Sequence, residues 1–556
     1  MGRYTIGLDF GSLSGRAVLA DVSTGKVAAS ASFDYPHGIM TETLPDGTPL
    51  PLDYALQDPD DYREVLKRSV REVMSMSGVH KDDVIGIGLD ATACSAFPAD
   101  ADWQPLCRKE KYRREPQAYL KLWKHHGAKE QARRLTSAAK DVCPELLKRF
   151  GGSISAESLY PKLWEVYERA PGLYEEMYEY IEAADWLVFL LTGNKTRNGC
   201  AAGYKAFYSP EGGYPPEKLF RNAGFCPFSP VSEKLPSSVV PVSKTAGTLT
   251  DAAAAVLGLN PGIAVAAGLV DAHVCVPAAG ITEEGHVLMI IGTSACIMML
   301  GREAGAAGPD VPGICGAVQD GILPGFCGLE AGQSSVGDLY GWFVDHMVPE
   351  HVFLEAEKNH QNIHAYLSSL AERKQPGQTG LLALDWLNGN RSTLCNYELS
   401  GLILGLTPDT RSEDVYRALA ESTAFGCRVI LDNFREHGVP VRRFSVSGGI
   451  SRKNPFIMQL YADILDLPIE VLDTEVGPAL GSAVFAAAAA GKAAGGYERV
   501  SDAAEAMKSP VLKIFRPDPD HVSVYARLYQ EYRTLYAYFG EGENNVMERL
   551  RRFKED

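Results

Sequence analysis

Three short apolar runs of this chain end in a carboxylate: Asp9 follows Tyr4 to Leu8, Asp90 follows Val84 to Leu89, and Asp271 follows Ile263 to Val270. Polar groups at the carboxyl ends of strands in an α/β sheet lie where ligands usually sit. A plain strand-end turn explains Asp90 and Thr92 as well, and a helix N-cap explains Asp271 as well. Behind Asp9 comes Gly11-Ser12-Leu13-Ser14-Gly15-Arg16. Its glycines and serines permit a tight reversal whose backbone N–H groups converge on an anion such as phosphate, although an ordinary hairpin would use the same residues. About half the chain length later, Gly292-Thr293-Ser294 interrupts the apolar run Val287 to Leu300 in the same way. A fold built twice from one plan would give this spacing, with two hairpin turns facing each other across a cleft. The paired Gly448 and Gly449 admit the close approach of a flat group such as a nucleobase; a tight strand-to-helix turn is the alternative. Lys205 is a single lysine among small residues that would let it approach a ligand closely, where most such lysines are merely solvated.

The elements that must position these groups follow from periodicity. Strands are expected at 4–8, 17–21, 27–33 and 84–89, and helices at Asp60–Ser77, Ser158–Arg169 and Ser412–Glu436. The proline-rich stretch 36–59 should be irregular and exposed. Residues 108–150 read as charged and helical, with His125 and His126 on a solvated edge, because adjacent histidines do not share a helical face. Asp185 reads as the N-cap of a helix ending at Gly193, and 198–205 as a loop. The small-residue helix opening at Gly477 should pack against the Gly448 turn, and the charged helical tail from His521 should clasp the surface.

At 556 residues and 46% apolar content the chain can bury two cores, one each in 1–281 and 282–556. The net charge of −16 argues against nucleic acid or an anionic membrane as partner. The 11 cysteines, odd in number and never spaced C-x-x-C, suit a reduced cytoplasm better than disulfides or a zinc site. The longest late apolar stretch, 481–491, falls well short of the roughly 20 residues that span a bilayer. There is no P-loop, no G-x-G-x-x-G, no H-E-x-x-H and no protein-kinase catalytic loop. Any nucleotide phosphates must therefore be held by the hairpins.

Taken together, these residues resemble the FGGY carbohydrate kinases of the actin, Hsp70 and hexokinase superfamily, over nearly the whole chain. Asp9-Phe10-Gly11-Ser12 with Ser14 and Arg16 resembles the family's first phosphate hairpin, Gly292-Thr293-Ser294 the second, and Gly448-Gly449 with Asn454 the adenosine segment. Residues 88–95, 122–126, 202–205, 330–334 and 385–391 resemble the L-ribulokinase branch. Lys124, His125 and His126 stand where xylulokinases and glycerol kinases usually carry an aspartate and an arginine. The resemblance implies an α/β fold of two actin/Hsp70/hexokinase-like (ribonuclease H-like) domains around a central cleft, with the sugar on the N-terminal side and ATP on the C-terminal side. It implies transfer of the ATP γ-phosphoryl to L-ribulose, giving L-ribulose 5-phosphate for arabinose breakdown. Asp271 would be the catalytic base, Lys205 would steady the transferring group, Asp9 would hold Mg²⁺, and Ala93, Trp123, Lys124 and Glu330 would line the sugar pocket. Another pentulose or pentitol is the alternative substrate, and a non-catalytic or polymerising actin-like ATPase the alternative class. The sequence leaves a homodimer open.

Overall fold

The computed structural model describes residues 2–225, 229–302, 308–473, 475–542 and 544–555, with side chains described as far as 553. Cys226 lies outside them; no disulfide joins the other cysteines among the described residues. Two mixed sheets organise the chain. In the first, β1 (Tyr4–Phe10), β2 (Ser14–Asp21) and β3 (Val27–Asp34) form an antiparallel meander. On the other side of β1 lie parallel β4 (Val84–Ala91), then β6 (Ala264–Ala266), and antiparallel β5 (Thr245–Thr248) at the edge. The second sheet repeats this plan. β7 (His286–Ile291), β8 (Ala295–Gly301) and β9 (Cys327–Gln333) make the meander. Parallel β10 (Arg443–Ser447) and β11 (Ile469–Leu472) and antiparallel β12 (Val511–Phe515) complete the other side.

Alternation along the strands divides the molecule into three cores. Ile6, Leu8, Phe10, Ile87 and Leu89 face outward into a core closed by helix α1 (Pro59–Ser77). Val287, Met289 and Ile291 face outward on the other side, into a core with the 25-residue helix Ser412–Glu436. The layer between the sheets holds helices Asp271–Ala278 and Gly477–Ala490, where Val274, Val276 and Val484 share a core with Leu288 and Met298.

The helix Gly477–Ala490 does not pack chiefly on the Gly448 turn as its sequence position suggests; it crosses back and lies on β1 and β4 of the first sheet. The reason is a face of glycines. A Cβ on Gly7 would stand 1.8 Å from the Ala479 carbonyl oxygen, one on Gly88 2.0 Å from that of Ser482, and one on Gly86 2.4 Å from that of Ala486. No other residue type allows helix backbone so close to strand backbone.

Five further expectations are corrected. Residues 106–128 are short turns and the strand Leu120–Lys121, helix beginning only at Lys129. His125 is fully buried, with Nε2 2.7 Å from Glu165 Oε2; a buried hydrogen bond that periodicity cannot see outweighs the polar character of the stretch. The 36–59 segment is irregular but not uniformly exposed, since Met40, Tyr54, Leu56 and Gln57 are buried. Residues Gly199–Ala206 form a helix capped by Asn198, whose side chain accepts from the Ala201 amide at 2.7 Å. Asp185 sits inside the helix Ala183–Thr192 and accepts from the Asn198 amide at 2.8 Å instead of capping. The tail helix Pro519–Gly540 is more than a surface clasp: Tyr525, Tyr529, Tyr532 and Tyr536 enter the second core.

Replacing Gly7 with alanine should therefore cost about 3 kcal/mol, read as a lower denaturant midpoint at unchanged slope. Gly341→Ala is the control: its helical Cβ meets nothing within 4 Å, so it should stabilise by about 0.5–1 kcal/mol.

Candidate active site

Strand register assembles the three carboxylates. Asp9 pairs with Asp90 across parallel β1 and β4, and Leu269–Val270 pairs with Asp90–Ala91, so Asp271 leaves the sheet beside them. Asp9 and Asp90 lie two residues beyond Gly7 and Gly88, on the face that receives the Gly477–Ala490 helix. Ser482 of that helix donates to Asp90 Oδ2 at 2.7 Å, while the buried Asp90 Oδ1 has no partner among the described residues. Burial raises the Asp9 carboxyl, against the pull of Arg16, its register neighbour on β2. Burial and then the Asp9 charge push Asp90 well above the ordinary range, and the same two causes in the same order bring Asp271 to about 7. Val270, not Asp271, occupies the N-cap position; Asp271 is the first helical residue and accepts from the amide of Ala272 at 2.7 Å. The cap reading thus falls away, and a half-buried carboxylate with raised proton affinity remains. Among the described residues no three such side chains are grouped to cage a metal, so a divalent cation here would be held by one or two of these carboxylates and water, and would relieve their repulsion.

A second charged group adjoins the first. Glu330 on β9 accepts from Arg391 Nη2 at 2.8 Å and lies 3.2 Å from His273 Nε2. The last contact joins the second sheet to the helix that starts at Asp271, and Tyr204 stacks on the His273 ring at 4.0 Å. Burial works to raise the Glu330 carboxyl, but the His273 bond and the Arg391 charge outweigh it and hold the group ionised. Burial likewise opposes ionisation of Glu157, yet His126, Lys205 and Arg391 bring it down to about 2. Lys205, at the end of its helix, feels both glutamates and forms no ion pair among the described residues, which leaves its ammonium available. Ala93 is half-buried just past β4. Trp123 is 36% exposed and its Nε1 donates to Ser12 Oγ at 2.9 Å, so it braces the first hairpin. Lys124 is exposed and makes no hydrogen bond or ion pair among the described residues.

In the first hairpin the Gly11 amide donates to Ser14 O at 3.0 Å, and Gln57 Nε2 holds the Ser12 carbonyl at 2.8 Å. Arg16 Nη1 reaches across to the Glu475 carbonyl at 3.0 Å. In the second, Gly292 donates to Ser294 O at 2.9 Å, and the Gly292 and Thr293 carbonyls take the amides of residues 336–338. The amides of Ser12, Leu13, Thr293 and Ser294 have no acceptor among the described residues. Parallel pairing of Ile290 with Ser447 brings the second hairpin beside Gly448. Between them opens a cavity of about 610 Å³ lined by Gly292, Gly449, Asn454, Asn362, Tyr416 and Phe456 among others, within the size range of small-ligand sites. Gly448 has φ +109° and its Cβ would stand 2.2 Å from Ile291 O, whereas a Cβ on Gly449 would meet nothing. Asn454 is committed: it caps the following helix at Ile457 and donates to Ser368 Oγ at 2.8 Å.

Residues 4–276 match the FGGY family of carbohydrate kinases, N-terminal domain, and residues 287–490 the same family's C-terminal domain. The chain belongs to the FGGY family of carbohydrate kinases. It is an ATP-dependent sugar kinase, which sets aside the non-catalytic actin-like alternative. It is similar to ribulokinase from Bacillus licheniformis, 47% identical with 98% of each chain covered. It is also similar to ribulokinase from Geobacillus thermodenitrificans, 46% identical over all of this chain and 97% of that one. The fold matches xylulose kinase from Rhodospirillum rubrum, with a TM-score of 0.76, 24% identity and 96% and 98% coverage. Plasmodium falciparum glycerol kinase, solved with ADP, matches with a TM-score of 0.74 at 15% identity, covering 96% and 98%. This is the expected two-domain α/β fold, and no helix among the described residues is long and apolar enough to cross a membrane.

The reading of this FGGY kinase from sequence gave no role to Asp90, His273, Arg391, Glu157 or Asn362. Asp90 carried a local signal, its place at a strand end, and Arg391 lay within the 385–391 resemblance without a role of its own. Apart from Asp90, these residues gain meaning from groups brought together by the fold, as Glu157 does from His126 and Arg391 from Glu330.

Gly449→Val should fold with an unchanged melting temperature and bind nucleotide at least tenfold more weakly by calorimetry, since the side chain enters the cavity. Gly448→Ala should instead unfold at lower temperature, because both its φ and the Ile291 carbonyl oppose a Cβ.

Proposed function

We propose that this kinase phosphorylates L-ribulose at its primary hydroxyl, in the cytoplasm, with Mg²⁺ as the partner of ATP. The observation that carries the reading is Asp271, a carboxylate of raised proton affinity at the sheet edge, beside an uncommitted Lys205 and the fixed Glu330–Arg391 pair. The full-length likeness to proteins named ribulokinase supports the choice of sugar.

Phosphoryl transfer needs positioning and charge neutralisation more than covalent help. The sugar hydroxyl oxygen forms a bond to the γ-phosphorus as the bond to the ADP oxygen breaks, and Asp271 takes the hydroxyl proton. Burial and the Asp9 charge suit Asp271 to that task, since a base near neutrality accepts a proton readily yet is ionised at working pH. Asp9, with Asp90 behind it, would hold the magnesium, which when bound supplies positive charge to the phosphates. The free amides of Ser12, Leu13, Thr293 and Ser294 bind phosphate oxygens, and Lys205 steadies the group in transfer. Gly292, Gly449 and Asn454 border the adenosine, while Ala93, Trp123 and Glu330 face the sugar, with Lys124 at the rim. Closure of the cleft excludes water and limits wasteful hydrolysis.

An ADP-release assay across pentuloses and pentitols tests the substrate: L-ribulose should give the highest kcat/KM, and a better D-ribulose, ribitol or xylulose would replace it. Asp271→Asn should fold and bind ATP but lose turnover by about three orders of magnitude or more; near-normal turnover removes the base assignment. The base must be deprotonated, so kcat/KM should fall as pH drops through about 7 and level off above it; a profile flat to pH 5.5 contradicts this role. Asp9→Asn should shift the Mg²⁺ titration of turnover to higher concentration.

A further inference from the structure

The helix Leu159–Arg169 carries a lysine that none of the chemistry above uses. Lys162 is 0% exposed, and its Nζ donates to the Cys94 carbonyl at 2.8 Å and to the Leu122 carbonyl at 2.8 Å. No ion pair among the described residues neutralises it, and burial lowers its proton affinity. An ammonium taken out of water for two neutral carbonyls costs stability unless it secures something else.

What it secures is the spacing of two loops. Cys94 follows Ala93, and Leu122 precedes Trp123, so the two carbonyls belong to the residues flanking those proposed to face the sugar. The Cys94 backbone is strained, with φ +51° in the left-handed region that side chains other than glycine seldom adopt. It is pinned on both sides: Glu182 Oε2 accepts its amide at 3.0 Å and Lys162 takes its carbonyl. The second loop is pinned from the same helix, because Glu165, three residues after Lys162, binds Lys121 Nζ at 2.7 Å and His125 Nε2 at 2.7 Å. One helix therefore sets both walls, and Lys162 is the only one of these groups that touches both loops.

We propose that Lys162 is a positioning residue for the sugar pocket, its buried ammonium fixing the distance between the Ala93 and Trp123 loops. The inference rests on the sugar-site reading given above. Geometry so fixed affects the sugar most: the cavity beside Gly449 is built on the other sheet, and the first hairpin, which Trp123 touches at Ser12, is also held by Gln57.

The test is steady-state kinetics of full-length Lys162→Met and Lys162→Arg, varying L-ribulose and ATP separately, with circular dichroism and melting to verify folding. The methionine variant should raise the KM for L-ribulose at least tenfold while the KM for ATP stays within twofold. The arginine variant, which keeps N–H donors and charge, should recover part of that loss. An unchanged sugar KM in a folded variant, or an equal rise in both KM values, overturns the proposal. Should the methionine variant not fold, the arginine variant decides alone, with a rise of about threefold in sugar KM expected and no rise refuting. Wild-type enzyme that phosphorylates another sugar sinks only the L-ribulose assignment, and the same comparison is then made with that sugar.

Discussion

Backbone contact between the Gly477–Ala490 helix and the glycine face of the first sheet is the constraint on which the rest depends. Three strand glycines bring the helix near enough for Ser482 to reach Asp90 and for Thr5 Oγ1 to reach the Ala483 carbonyl at 3.0 Å. Gly481 extends the contact to the helix that begins at Asp271, since its Cβ would stand 2.1 Å from the Val274 carbonyl. A segment late in the chain thus closes the early sheet, and the two repeats become one body. The alternation that points Gly7 and Gly88 at the helix also places Asp9 and Asp90 on that face, where Ser482 reaches Asp90.

Electrostatics divides the cleft into regions of opposite need. Asp9, Asp90 and Asp271 are crowded and carry raised proton affinities, so this region gains from a cation. Beside it, Glu330 and Glu157 are held ionised by His273, Arg391, His126 and Lys205, which gives fixed polar groups suited to a many-hydroxyl ligand. The hairpin turns and the cavity beside Gly449 offer free amides and an open glycine face instead. An acidic protein can therefore grip phosphates with backbone dipoles, with no basic patch.

Much of the fold was legible because local rules and tertiary packing agree in it. The strands starting at Tyr4 and Val84, the helix ending at Ser77 and the helix Ser412–Glu436 follow periodicity closely. The misreadings share one cause. His125 and the helix Gly199–Ala206 sit where buried polar partners, Glu165 and the Asn198 cap, override composition, and the tyrosines of the tail helix look polar until a core receives them.

By itself the sequence determined the strand-end carboxylates, the two glycine-hydroxyl turns and the paired glycines, because each is a short-range matter of residue type and backbone freedom. Their duplication at half-length spacing also implied a fold made twice. Only the tertiary structure decided that Asp9, Asp90 and Asp271 are neighbours, that Arg391 and His273 converge on Glu330, and that a late helix completes an early sheet. Those facts rest on strand register and on contacts between residues up to several hundred positions apart, which no local pattern encodes.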